Sequence, residues 1–229
     1  MMENPLGAHI LFHIGPLPVD AAVVVTWGLI AGLGLGSWWA TRRLSLTPGR
    51  LQSVLELLVS TIDAQIADTV RGDPARFRPL IGTLLVFILC ANWSSLIPGV
   101  EAPTARLETD AALALIVFAA TLWFGIRVNG LGGYLAGFAR PTWAMLPMNL
   151  VEQLTRHLSL MVRLFGNVMS GGFVIAILLG LAGLLVPIPI MALDMLTGAV
   201  QAYIFAILAL VFIGSAVEGE GDAHKETDA

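Results

Sequence analysis

The sequence predicts an all-α membrane protein with five membrane-embedded helices and one amphipathic surface helix. Three observations carry this reading. First, 57% of the 229 residues are hydrophobic, only 12% are charged, and mean hydropathy is +0.84, against about 25% charged in an ordinary soluble domain. So large an apolar excess cannot be buried in one core of this size beneath a wettable surface. That excludes a soluble enzyme, a nucleic-acid binder and a disordered chain. Second, five apolar stretches are long enough to cross about 30 Å of hydrocarbon, which takes roughly 20 helical residues. Third, the chain lacks the alternating segments, roughly ten residues each, of a membrane barrel. With no water to satisfy the backbone, internally bonded helices are the remaining solution.

The chain reads as a single membrane domain over residues 1–229. Residues 1–18 form an outer N-terminal segment. Glu3 precedes any basic residue and no small-residue cleavage pattern follows, so a signal peptide is not expected there. The first span, 19–41, closes on Trp38-Trp39 and is followed by Arg42-Arg43. Residues 48–71 differ in kind. Leu51, Leu55, Leu58, Ile62, Ile66 and Val70 recur at helical spacing, opposite Gln52, Glu56, Asp63 and Asp68. This is the pattern of an amphipathic helix lying along the membrane or packed on a soluble partner, and Gly72-Asp73-Pro74 ends it. Residues 79–128 hold a helical hairpin with spans near 80–98 and 111–126. Residues 144–217 hold the two longest spans, 145–185 and 188–217, divided at Pro187-Ile188-Pro189.

Residues 218–229 form an acidic cytoplasmic tail. The net charge of −4 resides there, because Glu218, Glu220, Asp222, Glu226 and Asp228 stand beside a single Lys225. Elsewhere the placement of basic residues sets orientation. Arg42, Arg43, Arg50, Arg71, Arg76 and Arg78 lie between spans one and two, Arg127 and Arg140 between three and four, and Lys225 after five. Between spans two and three there is only Arg106, amid Glu101, Glu108 and Asp110. The N-terminus is therefore expected outside and the C-terminus in the cytoplasm. The single cysteine, Cys90, permits no internal disulfide and reads as a small buried hydrophobe. Trp27, Trp93, Trp123 and Trp143 read as helix anchors.

The informative residues are the polar ones inside the long spans. Glu152, Arg156, Ser159, Arg163, Asn167 and Ser170 recur every three or four positions, forming one stripe on a helix otherwise built of Leu, Met, Val and Phe. In the last span Asp194, Thr197 and Gln201 share a face. An arginine at mid-membrane costs at least about 2.5–3.5 kcal/mol, so it needs a partner or a wet cavity. A structural ion pair of Arg163 with Asp194 would meet that need. A whole stripe of polar neighbours fits an ion pathway better, with a fixed positive charge that stays protonated in any environment. Gly166, Gly171, Gly172 and Gly198 thin these two helices, so that another backbone can approach closely.

Ser159-Leu160-Met161-Val162-Arg163-Leu164-Phe165-Gly166-Asn167 resembles the signature of subunit a of rotary (F-type) ATP synthases. Gln201-Ala202-Tyr203-Ile204-Phe205 resembles that family's second signature. Pro79-Leu80-Ile81-Gly82-Thr83 through Asn92, with Leu96-Ile97-Pro98-Gly99, resembles its earlier span. The run Pro103-Thr104-Ala105-Arg106-Leu107-Glu108-Thr109-Asp110 is most similar to the N-type branch of bacterial rotary ATPases. The resemblance implies a stator subunit of a bacterial plasma (inner) membrane complex, not catalytic by itself and needing no cofactor. Its last two helices would be long, tilted and paired as a hairpin against a ring of c subunits, each with one membrane-embedded carboxylate. Implied partners are that c-subunit ring, subunit b of the peripheral stalk, the rest of the complex and the lipid bilayer, but no nucleic acid. Arg163 would be the essential stator charge, with Asn167 and Gln201 as its polar neighbours. Other members usually place Glu or His where Gly172 stands and His or Glu where Asp194 stands. This chain keeps Asp194, assigned to the outer half-channel. Many members carry an acid where Asn149 stands; here Glu152, with Ser159, is assigned to the cytoplasmic half-channel.

The expected mechanism is electrostatic. A proton or sodium ion from outside passes Asp194 and neutralises a ring carboxylate, which can then rotate through lipid at tolerable cost. On facing Arg163 the ionised form is favoured by about one to three pKa units, and the ion leaves to the cytoplasm. Two other classes compete with this reading. A self-contained secondary transporter should show two similar halves, which these unequal spans do not; a structural scaffold should tolerate replacement of Arg163. No phosphate loop, metal-ligand spacing or nucleophilic triad is visible, and His9, His13, His157 and His224 are scattered. The first two read as outer-end histidines and His157 as an interfacial one on the cytoplasmic side.

Overall fold

The computed structural model describes residues 10–14, 17–42, 49–70, 73–97, 100–138, 143–183 and 186–218. Expectations placed on His9, Arg43, Arg71, Gly72, Pro98, Gly99, Arg140 and the tail from 219 on, with His224 and Lys225, fall outside these residues. Six helices follow one another: α1 Ala21–Thr41, α2 Arg50–Thr69, α3 Arg78–Trp93, α4 Leu107–Phe138, α5 Leu146–Ala182 and α6 Pro187–Glu218. All except α2 are long and apolar enough to cross a membrane, so the five spans and the amphipathic helix occur in the expected order. A short antiparallel pair, β1 Ile10–Ile14 with β2 Leu17–Asp20, precedes α1 and adds to the helical pattern.

Helix ends follow local chemistry. Asp20 caps α1, its Oδ1 accepting from the Ala21 amide at 2.7 Å. Gly183, with φ +76°, stands just past the end of α5, where a left-handed residue closes the last turn. Pro187 opens α6, where its missing N–H costs nothing. The third span departs from the pattern. Gly130 has φ 70° and ψ 166° inside α4, a conformation open in practice only to glycine. The chain turns back there, and the Tyr134 ring comes to rest on Gly125.

The chain divides into two compact units. The first comprises the described parts of Met1–Val54, Val86–Arg106 and Phe165–Ala202. In it Arg106 pairs with Asp20 at 2.7 Å and with Glu101 at 2.9 Å. This ties the start of α1 to the α3–α4 connection, as successive opposed spans require. Ile88, Ala91 and Ala202 are fully buried here.

The second unit comprises the described parts of Leu55–Leu85, Leu107–Leu164 and Tyr203–Ala229. Val117, Phe205, Ala209, Leu210 and Ile213 form its dry centre. The apolar face of α2 is split rather than uniform. Ile62, Ile66 and Val70 are buried, Ile62 touching Gly82 of α3 and Val70 fitting Gly214 of α6, whereas Leu51, Leu55 and Leu58 are exposed. Asp63 pairs with Arg78 at 2.5 Å, and the Tyr203 hydroxyl donates to Gln65 Oε1 at 2.6 Å. The last turns of α2 are therefore part of the helix packing, not a surface appendage. Asp110, in the first turn of α4, is buried with neither oxygen hydrogen-bonded among the described residues. The free amides of a helix N-terminus supply the favourable field it has.

Candidate functional site: a polar stripe on the two longest helices

Helix α5 has three faces. His157, Leu160, Leu164 and Val168 form its buried stripe. The polar stripe of Glu152, Arg156, Ser159, Arg163, Asn167 and Ser170 runs roughly a third of a turn away, as 3.6 residues per turn dictates. Val151, Leu154, Leu158 and Val162 are exposed on the remaining face. An apolar exterior suits lipid or another membrane helix, so the polar residues are confined to a seam between dry surfaces.

In the second unit that seam opens into a cavity of about 430 Å³, lined from α5 by Glu152, Arg156, Ser159 and Arg163 and from α6 by Leu208 and Phe212. Arg156 forms an ion pair with Glu152 and lies over the Phe212 ring, 5.9 Å from its centroid. Arg163 has no ion-pair partner among the described residues. A guanidinium without an ion-pair partner at a cavity wall is chemically able to serve as a counter-charge to an anion.

His157 is buried among the helices rather than solvated. Its ring packs 5.0 Å from Phe118 and 5.3 Å from Phe212, and its Nδ1 is 2.8 Å from the Gln153 carbonyl oxygen. One residue beyond Arg156, it is turned about 100° onto the stripe of Leu160 and Leu164. It belongs to packing.

The first unit holds Asp194, Asn167 and Gln201. The Asp194 carboxyl lies directly on the bare Cα of Gly171 in α5, one turn after Asn167; a Cβ at 171 would overlap its Oδ1. The amide nitrogens of Asn167 and Gln201 are both buried without a hydrogen-bond partner among the described residues. Buried donors of this kind call for water or an incoming acceptor. The six residues singled out from the sequence therefore fall into two groups, Glu152, Ser159 and Arg163 in one unit and Asn167, Asp194 and Gln201 in the other.

The glycines separate in role. Gly166 and Gly172 face open space, while Gly171 seats Asp194 and Gly198 admits Asn92 of α3. Asn92 donates from Nδ2 to the Gly198 carbonyl at 2.9 Å and accepts from Thr104 Oγ1 at 2.8 Å. Sequence reasoning gave Asn92 no role of its own. An amide inside the apolar run of α3 was the available signal, since a polar group at membrane depth is costly unless used.

The described residues make a multi-span membrane protein whose apolar helices carry one charged seam along α5. A family model for the ATP synthase A chain matches residues 22–214. The chain is 54% identical to "ATP synthase subunit a 2" of Bradyrhizobium sp. (strain BTAi1), over 95% of this chain and 97% of that one. It is 48% identical to "ATP synthase subunit a 1" of Chlorobaculum parvum (90% and 92% covered) and 46% to "ATP synthase subunit a" of Albidiferax ferrireducens (92% of each). The chain belongs to the ATP synthase A chain family, the stator subunit of the F-type membrane sector. It is an ion-translocating part of that complex, without catalysis of its own.

Proposed function

We propose that the two residue groups are two offset half-channels on either side of Arg163. Glu152 and Ser159 line the cytoplasmic half, and Asp194, with Asn167 and Gln201, lines the outer half. The observation that carries this reading is the cavity shared by Arg163, Ser159 and Glu152, while Asp194, Asn167 and Gln201 belong to the other unit. Ions enter past Asp194 and neutralise a carboxylate on a neighbouring c-subunit ring, which the pair α5 and α6 faces as a tilted hairpin. Arg163 then re-ionises that carboxylate by Coulombic stabilisation and repels any cation crossing directly between the halves. Each charge that descends about 100 mV supplies roughly 2.3 kcal/mol, so several pass per ATP.

In this reading the subunit lies in the bacterial inner membrane with its N-terminus outside and its C-terminus in the cytoplasm, contacting subunit b of the peripheral stalk as well as the ring. The basic bias of the loops supports the orientation, and residues 103–110 support the N-type branch. Cysteines introduced singly by Ser159→Cys and Asp194→Cys, in a Cys90→Ser chain, test the assignment in the assembled complex. A membrane-impermeant thiol reagent should modify the first only from the cytoplasmic side and the second only from outside. Modification of both from one side would refute the two half-channels.

A further inference from the structure

We propose that Asn92 is a positioning residue for Asp194: through its bonds to Gly198 and Thr104 it holds α6 at the rotation that keeps the Asp194 carboxyl seated on Gly171. The inference rests on the reading of Asp194 as the outer ion-path carboxyl. It starts from an unusual density of donors on one stretch of helix. The Asn92 amide reaches the Gly198 carbonyl at 2.9 Å, and the neighbouring Trp93 Nε1 reaches the Met195 carbonyl at 3.1 Å. Two successive side chains at the end of α3 thus grip the one turn of α6 that follows Asp194.

The grip is built, not incidental. Asn92 and Thr104 are both buried, and the Thr104 hydroxyl donates to Asn92 Oδ1 at 2.8 Å, fixing which way the amide faces. A Cβ at Gly198 would stand 3.1 Å from the Asn92 Cβ, so the missing side chain at 198 is what lets α3 come this close. Gly198 and Asp194 are one turn apart on α6, which gives a rotation at one an immediate consequence at the other. The carboxyl tolerates little such rotation, because its seat on α5 is a single absent methyl wide. Asn92 touches neither the ion nor the ring; it acts through α6.

A disulfide reports seating without reference to transport. The sulfur introduced by Asp194→Cys takes the Cγ position, 2.7 Å from a Cβ at 171, near the about 3 Å between Sγ and the partner Cβ in a disulfide. In assembled complex carrying Gly171→Cys, Asp194→Cys and Cys90→Ser, oxidation should therefore cross-link α5 to α6. Adding Asn92→Leu should slow the cross-link about tenfold, the scale set by leaving buried bonding groups unpartnered. Asn92→Asp, which cannot donate to Gly198 once its carboxyl is ionised, should do the same at alkaline pH. Thr104→Val, which keeps shape and loses only the hydroxyl, should slow it about threefold; it serves if Asn92→Leu does not assemble. An unchanged cross-linking rate in assembled Asn92→Leu or Thr104→Val complex overturns the proposal. The same Asn92 substitutions in the otherwise native chain should lower ion-driven ATP synthesis in step. Slowed cross-linking with full synthesis upholds the positioning role and refutes the ion-path reading of Asp194.

Discussion

Replacing Gly171 with alanine should expel the Asp194 carboxyl from its place on α5. The added Cβ would overlap Oδ1, stand 2.7 Å from Cγ and stand 3.2 Å from Oδ2. Such a carbon cannot be accommodated by a few tenths of an ångström of give. Either the carboxyl leaves for another rotamer or the helices part, and overpacking of this kind costs about 1–3 kcal/mol. If that cost falls on the seated conformer, its population drops about 5–150-fold. The assay is ion-driven ATP synthesis by complex reconstituted in vesicles, with assembly checked by subunit stoichiometry. Gly171→Ala should slow synthesis at least about fivefold. The same methyl in an Asp194→Ala background should add little, because the group it strikes is gone; coupling of this sort marks residues in contact. Equal losses in both backgrounds, or no loss in either, would refute the seating argument.

Glu152→Gln should slow synthesis several-fold while leaving assembly and melting temperature unmoved, since an exposed ion pair stabilises by only about 0–1 kcal/mol; a large drop in melting temperature would make the Glu152–Arg156 pair structural. Gly130→Ala should destabilise the complex by about 1–3 kcal/mol, because an L-residue must hold φ 70° there; a thermal melt of the complex measures it, and an unchanged melt would contradict the turn at Gly130. His157→Phe should preserve both stability and transport, whereas His157→Ala should cost about 3 kcal/mol for the cavity left between Phe118 and Phe212. Loss of synthesis in a stable His157→Phe complex would move His157 from packing into the ion path.

The spans were legible because burial in lipid demands long apolar runs: α1, α5 and α6 begin and end within three residues of the apolar stretches. What escaped depends on single residues or on distant partners. Asn129-Gly130 carries turn chemistry, but it lies at the end of an apolar run whose period hides the reversal. The face of α2 was visible, yet only packing against Gly82 and Gly214 decides which of its turns are buried. His157 read as an interfacial histidine because a lone imidazole near a span's end is most often solvated, while its angular position puts it with the buried leucines. Arg163, Ser159 and Glu152 stood out because charge in an apolar helix is expensive. The particular partner of Gly171 and the role of Asn92 did not, since which of four glycines seats a side chain depends on what approaches it, and an amide's value on a carbonyl 106 positions further along the chain.

The proposal that Arg163 is the fixed charge at the centre of the ion path is tested by Arg163→Ala in the assembled complex, with ion-driven ATP synthesis and passive ion leak measured separately in the same vesicles. Loss of coupled synthesis, with leak through the membrane sector equal to or above that of the native complex, is the expected result. Coupled synthesis at the native rate would contradict it and leave Arg163 a structural residue.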